Sequence, residues 1–241
     1  MPLAPLLAKV NFNDPIFWAV VIGWVLTVVL HELAHGVVAY LGGDHTIRDR
    51  GGLTLNPLQY VHPVNSILLP AVFLLMGGVP LPGGATYVRR DLLRNRAWET
   101  AVSLAGPATN FVLFALLLLP LHPRFGWMHP SFDGSGWTPA ERFLATLGTL
   151  QFLTGVFNLI PVPPLDGFGA ISPLLPPDLQ ATVRNPQVAN ACMIAVFLLV
   201  MAVPSIFGRI FGWELQVLDR CGMDAVLEGV LTSFNGVMFG G

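Results

Sequence analysis

Residues 15–41 read PIFWAVVIGWVLTVVLHELAHGVVAYL, an apolar run broken by one polar cluster, His31-Glu32-Leu33-Ala34-His35. The run is longer than the about 20 residues a helix needs to cross a bilayer. Ionisable side chains inside such a run are costly in lipid and are functional candidates by default. On a helix, residues four apart share a face, so both imidazoles can reach one ion. Two neutral imidazoles suit Zn²⁺. Glu32 projects about 100° round the helix from His31. There it can meet a water at the metal without being a ligand. Gly36 follows and leaves room for close packing.

The rest of the composition agrees with a membrane setting. The chain has 241 residues, of which 54% are apolar and only 11% charged. An average soluble domain carries about 25% charged residues. Mean hydropathy is +0.65. A net charge of −2 provides no basic field for nucleic acid. This excludes a disordered chain, a secreted disulfide scaffold and a nucleic-acid binder. Eleven arginines against one lysine, Lys9, suit a GC-rich bacterial genome. Cys192 and Cys221 have no metal-site spacing and are expected as free thiols. The first fifteen residues show no pattern of a cleaved signal peptide.

Further apolar runs occupy 64–79, 98–121, 143–162 and 188–207. The tail 212–241 is apolar but carries Glu214, Asp219, Arg220, Asp224 and Glu228. It reads as a packed or interfacial amphipathic helix, or a poor sixth span. The expected fold is an all-α polytopic membrane protein with about five to six membrane segments, forming a single integral membrane domain over 1–241. Within it lie a core at 15–170 and a C-terminal span and tail at 188–241. Arg48 and Arg50 follow the first run; Arg89, Arg90, Arg94 and Arg96 follow the second. If both clusters are cytoplasmic, the run 64–79 enters and leaves on one side and is re-entrant. Runs one and four then both end near the cytoplasmic face. The expected location is the bacterial cytoplasmic membrane, multi-pass.

A catalytic zinc has three protein ligands and one open position. Asp166, in NLIPVPPLDG at 158–167, stands past the fourth run at the depth of His31 and His35. The proline-rich stretch cannot be regular helix and is expected to be extended, turning Asp166 back into the core. Asp-Gly is also a common turn pair, so a turn or cap is the plain alternative. Asp44 and Asp49 lie in a charged loop, Glu99 opens a helix, and Asp133 and Glu141 fall on the far side. His45 and His62 are possible extra ligands; His122 and His129 are expected outside.

These residues resemble the site-2 protease family of intramembrane zinc metalloproteases. The resemblance rests on HELAHG at 31–36 and NLIPVPPLDG at 158–167, with GLTLNP at 52–57 and AGPATN at 105–110 between them. It implies a site-2-protease-like helical core with one zinc ion per chain, held by His31, His35 and Asp166 near the cytoplasmic face. It implies hydrolysis of peptide bonds in membrane-embedded protein substrates by a water activated at zinc, with Glu32 as general base. Asn158, and less directly Asn110, would bind substrate or the oxyanion; for Asn110, interhelical hydrogen bonding is an equal alternative. The chain resembles a minimal member, without PDZ or nucleotide-binding domains. Its oligomeric state is left open.

Residues 77–84, GGVPLPGG, do not suit stable helix and are expected to offer an edge to an extended substrate. Two other readings remain at this stage. A catalytically silent zinc-binding scaffold or regulator would not need Glu32. A small ion transporter would show repeat symmetry between halves, and none is present.

Overall fold

The computed structural model describes residues 10–60, 86–125, 127–128, 136–183, 185–203 and 205–240. The expected re-entrant run 64–79, the edge at 77–84, His62, His129 and Asp133 lie outside the described residues. Among those described, the chain is all-helical and has no strand.

Helix α1 spans Pro15–Gly42 and α2 spans Arg96–Leu118. Helix α3 is Pro139–Asn158, followed by short α4, Asp166–Ile171, and α5, Pro177–Val183. Helices α6, Pro186–Ala202, α7, Ser205–Arg220, and α8, Leu227–Phe239, complete the chain. The start signals are local. Asp14 caps α1, Asn95 caps α2, and Thr138 with Glu141 forms a reciprocal capping box on α3. Pro15 and Pro139 occupy first-turn positions, where a missing N–H costs nothing.

Helices α1 and α3 run parallel, with α2 antiparallel and packed against both. The Arg142 guanidinium donates to Asp14, joining the starts of α1 and α3. The Arg94 amide donates to the Gly42 carbonyl (2.9 Å), joining the end of α1 to the approach of α2. Lipid offers little hydrophobic drive for helix association, so close fit matters more. Small residues supply it: Leu118 packs over Gly148, and the Phe111 ring over Gly155. Helix α8 buries Val230, Phe234 and Val237 at helical spacing in the same core.

Two helices among the described residues, α1 and Arg96–Leu121, are long and apolar enough to cross a membrane. A third arises if Pro177–Val183 and Pro186–Val200, bent by 71°, count as one span. The expected count of five to six is not reached by this measure. Helix α3 carries Glu141, Arg142, Thr146, Thr149, Gln151 and Thr154, and α6 is only 17 residues long.

Three sequence expectations change here. Run 143–162 is a helix that starts earlier, at Pro139, and ends earlier, at Asn158, with Glu141 buried in its capping box. Residues 159–165 fold as tight turns, not an extended segment, because a glycine at 167 lets the chain double back. Run 188–207 is two helices, one ending at Ala202 and the next starting at Ser205; a residue before proline avoids helical geometry, and Val203 precedes Pro204. The tail folds as the end of α7 and α8, which pack Leu218, Val230 and Phe234 into the core. Both cysteines are free thiols.

Candidate metal centre

His31, Glu32 and His35 lie well inside α1, each buried to 5–6% exposure. His31 and His35 sit one helical turn apart with their rings edge to face at 4.8 Å. Asp166 opens α4 and reaches both: its Oδ2 is 3.1 Å from His31 Nε2, and its Oδ1 is 3.4 Å from His35 Nε2. One ligand atom from each of the three residues lies within 4.8 Å of the others.

The outer ring nitrogens decide what the inner ones can do. His35 Nδ1 is 2.6 Å from the Val102 carbonyl oxygen, which can only accept. His31 Nδ1 is 2.7 Å from Asn110 Oδ1, also an acceptor. Both Nδ1 atoms therefore donate, and in the neutral rings both Nε2 atoms present lone pairs. Those Nε2 atoms stand 3.1 Å apart and face a carboxylate. An inward-facing set of acceptors calls for a cation at its centre. Two imidazoles and a carboxylate are a donor set for zinc with a fourth position open. The outer contacts are of the kind that orient metal-ligating histidines.

Helix α2 supplies the back wall. A Cβ on Gly106 would run into Nε2 of both histidines, so no side chain fits there. Pro107, next along, has no N–H for the Ser103 carbonyl, one residue from the Val102 carbonyl that serves His35. Two further glycines fold the surroundings inward. A Cβ on Gly36 would overlap the Gly52 carbonyl, and one on Gly167 the Leu159 carbonyl. Buried Leu165 pins the turn from the core side, leaving Asp166 aimed at the histidines.

Asn110 does not stand as a lone polar residue in its helix; it is 1% exposed and holds His31. The contact is an interhelical hydrogen bond, the alternative role that the sequence offered for Asn110. Asn158 closes α3, half-buried, just before the turns that lead to Asp166. The competing acids stay away from the histidines. Glu99 is paired with Arg90 at 3.8 Å, and Glu141 serves its capping box. Asp44 is fully buried beside Arg50. Burial opposes its charge, but Thr46, the Arg89 amide and Arg50 outweigh that and hold its pKa below the ordinary value. His45 meets Tyr40 edge to face, and His122 hydrogen-bonds the Cys221 carbonyl.

Two contacts had no signal in the sequence. One is the Val102 carbonyl, a backbone group. The other is Thr86, whose hydroxyl lies 2.7 Å from Glu32 Oε2. A ~190 Å³ cavity opens beside Asp166, lined by Ser103, Leu165, Phe168 and Val183 among others.

The chain is similar to curated proteins over most of its length. It is 37% identical over 226 residues to "Putative zinc metalloprotease Rip2" of Mycolicibacterium smegmatis, covering 91% of this chain and 81% of that protein. Rip2 of Mycobacterium tuberculosis is 37% identical over 228 residues, 93% of this chain and 83% of its own length. YwhC of Bacillus subtilis, which bears the same description, is 32% identical over 211 residues, 86% of this chain and 89% of its own. No protein-family model and no solved structure matches the chain significantly.

Proposed function

Since the chain belongs to the site-2 protease family of zinc metalloproteases, we propose that it cleaves membrane-embedded protein substrates, and that Glu32 is the general base. One zinc ion per chain, held by His31, His35 and Asp166, would lower the pKa of a water and polarise the scissile carbonyl. Glu32 then takes the proton of the attacking water and delivers it to the leaving amine. Its place in α1, one residue from His31 and about 100° round the helix from it, suits that task. Asn158, at the C-terminus of α3, is assigned to the substrate carbonyl or the oxyanion. Asn110 and the Val102 carbonyl keep the two imidazoles in the tautomer that ligates.

The observation that carries this reading is the set of inward-facing acceptors. Both Nδ1 atoms are spent as donors, and three ligand atoms converge on one point. The proposal places the whole chain in the bacterial cytoplasmic membrane as a single multi-pass domain. The site then opens toward the cytoplasmic side. Contacts among the described residues support a common side for the arginine clusters. Arg50 donates to the Tyr87 carbonyl (2.8 Å), and the Arg89 amide to Asp44 (2.8 Å), so both clusters meet at the end of α1. His31 and His35 lie in the half of α1 nearer that end. A substrate helix would have to unwind locally, since helical carbonyls are already hydrogen-bonded.

The test compares wild type with Glu32→Gln in detergent, using metal analysis and a model transmembrane substrate. The expected result is about one zinc per chain in both proteins, with cleavage only by wild type. Equal cleavage by both would remove Glu32 as the base. Zinc without cleavage of any substrate in a broad panel would favour the scaffold reading.

A further inference from the structure

Among the described residues, the Glu32 carboxylate is held through its Oε2. Thr86 Oγ1 lies 2.7 Å from Glu32 Oε2 and 3.1 Å from the Glu32 carbonyl oxygen, across 54 residues of sequence. A threonine hydroxyl has a single proton to donate. The shorter contact, to a charged acceptor, takes it. Among the described residues no donor reaches the other oxygen, Oε1.

We infer that Thr86 is a positioning residue: by holding Oε2 it fixes the rotamer of Glu32 and leaves Oε1 as the oxygen that receives the proton. The inference rests on the reading of Glu32 as general base. A proton acceptor works only when its lone pair is aimed within a few tenths of an ångström of the transferred proton's path. A free glutamate on a helix has several rotamers, and most of them would miss. One hydrogen bond to a charged group selects among them.

A hydroxyl can do this only if its own backbone is fixed. Residues 86–89 have no regular secondary structure. They are fastened to α1 by a clasp at its C-terminal end. Buried Asp44 accepts from the Arg89 amide (2.8 Å) and from Arg50 Nη2 (3.0 Å). Arg50 Nη1 donates to the Tyr87 carbonyl (2.8 Å). Asp44 is 0% exposed, so its charge is committed to these donors. Glu32, Asp44 and Arg50 all belong to α1 or the loop directly after it. Thr86 is therefore anchored beside the element that carries the base.

The experiment uses the full chain in detergent with zinc content, kcat and KM measured on one transmembrane substrate. Thr86→Val keeps the shape and removes the hydroxyl. Its kcat is expected to fall roughly ten- to a hundredfold, the range for losing a hydrogen bond to a charged or ligand-orienting group. Zinc content and KM should stay at wild-type values. Thr86→Ser should recover most of the rate. Ser and Ala variants both lose the methyl, so comparing them repeats the test should Thr86→Val fold poorly. Glu32→Gln is run beside them. An inactive Glu32→Gln with a fully active Thr86→Val leaves the general base standing and overturns the positioning role. A loss that appears in zinc content or KM instead of kcat also overturns it. An active Glu32→Gln removes the general-base reading and this inference with it.

Discussion

Asp166 and Glu214 are both carboxylates inside the bundle, one beside two imidazoles and the other beside a single threonine. The Asp166 side chain is 22% exposed and points at two Nε2 lone pairs. Glu214 lies in α7, which is too short to cross a membrane, and it is 0% exposed. Its Oε1 accepts from Thr149 at 2.7 Å, and its Oε2 has no partner among the described residues. Burial pushes its pKa from 4.5 up to about 8, with the Thr149 hydrogen bond pulling the other way. A buried charge without a partner neutralises instead of ionising. Glu214 is thus a neutral polar link between α7 and α3, while Asp166 belongs to an anionic cage. Burial is common to both. The neighbouring groups decide which carboxylate can hold a metal.

The largest test of that contrast is Gly106→Ala. The added methyl enters the space between α2 and the two Nε2 atoms. Zinc content should fall from about one per chain to near zero, and cleavage with it. Full zinc content in the variant would mean that α2 does not form the back wall. A middle effect is expected for Asn110→Ala, which takes the acceptor from His31 Nδ1. Zinc affinity, measured by competition with a chelator, should weaken about 10- to 100-fold. The protein should still fold, since the lost contact is a single side chain.

The smallest effect is expected for Glu214→Gln, with zinc and kcat unchanged. Its signature is the pH dependence of thermal stability. Below about 4.5 the carboxyl is protonated in folded and unfolded chain alike, and wild type loses nothing. Above that value the unfolded chain ionises while the folded group keeps its proton. Wild type therefore loses stability as pH rises, until the folded group also ionises near about 8. Glutamine escapes this loss, so its Tm advantage should grow across that window, by roughly 2–4 °C for each kcal/mol gained. A Tm difference that is flat with pH would mean that Glu214 is charged in the fold. That would erase the contrast with Asp166.

Some of the site was legible because its geometry is local. His31 and His35 meet on one face of α1 simply because a helix repeats every 3.6 residues. An apolar run also makes charged residues inside it conspicuous. Asp166 was legible by its motif and its depth, although the route to it was not. The sequence suggested an extended approach, and tight turns over Gly167 replaced it, since only the contact with the Leu159 carbonyl reveals why a glycine is needed. The helix break near 203 was hidden in a run that is apolar on both sides of Pro204. Polarity patterns do not register a backbone break of that kind.

The helical, apolar character of the chain, the pairing of His31 with His35 and the position of Glu32 could be read from the chain alone. Each depends on spacing within one element or on composition. It took the packed fold to show that Asn110 holds His31 from 79 residues away, that Asp166 closes the site from 135, and that Thr86 reaches Glu32 from 54. The fold also shows that Glu214 is buried against Thr149, 65 residues off. Such contacts depend on how close two separate elements pack. That distance is set by glycines, prolines and turns acting together, and no periodicity in the chain records it.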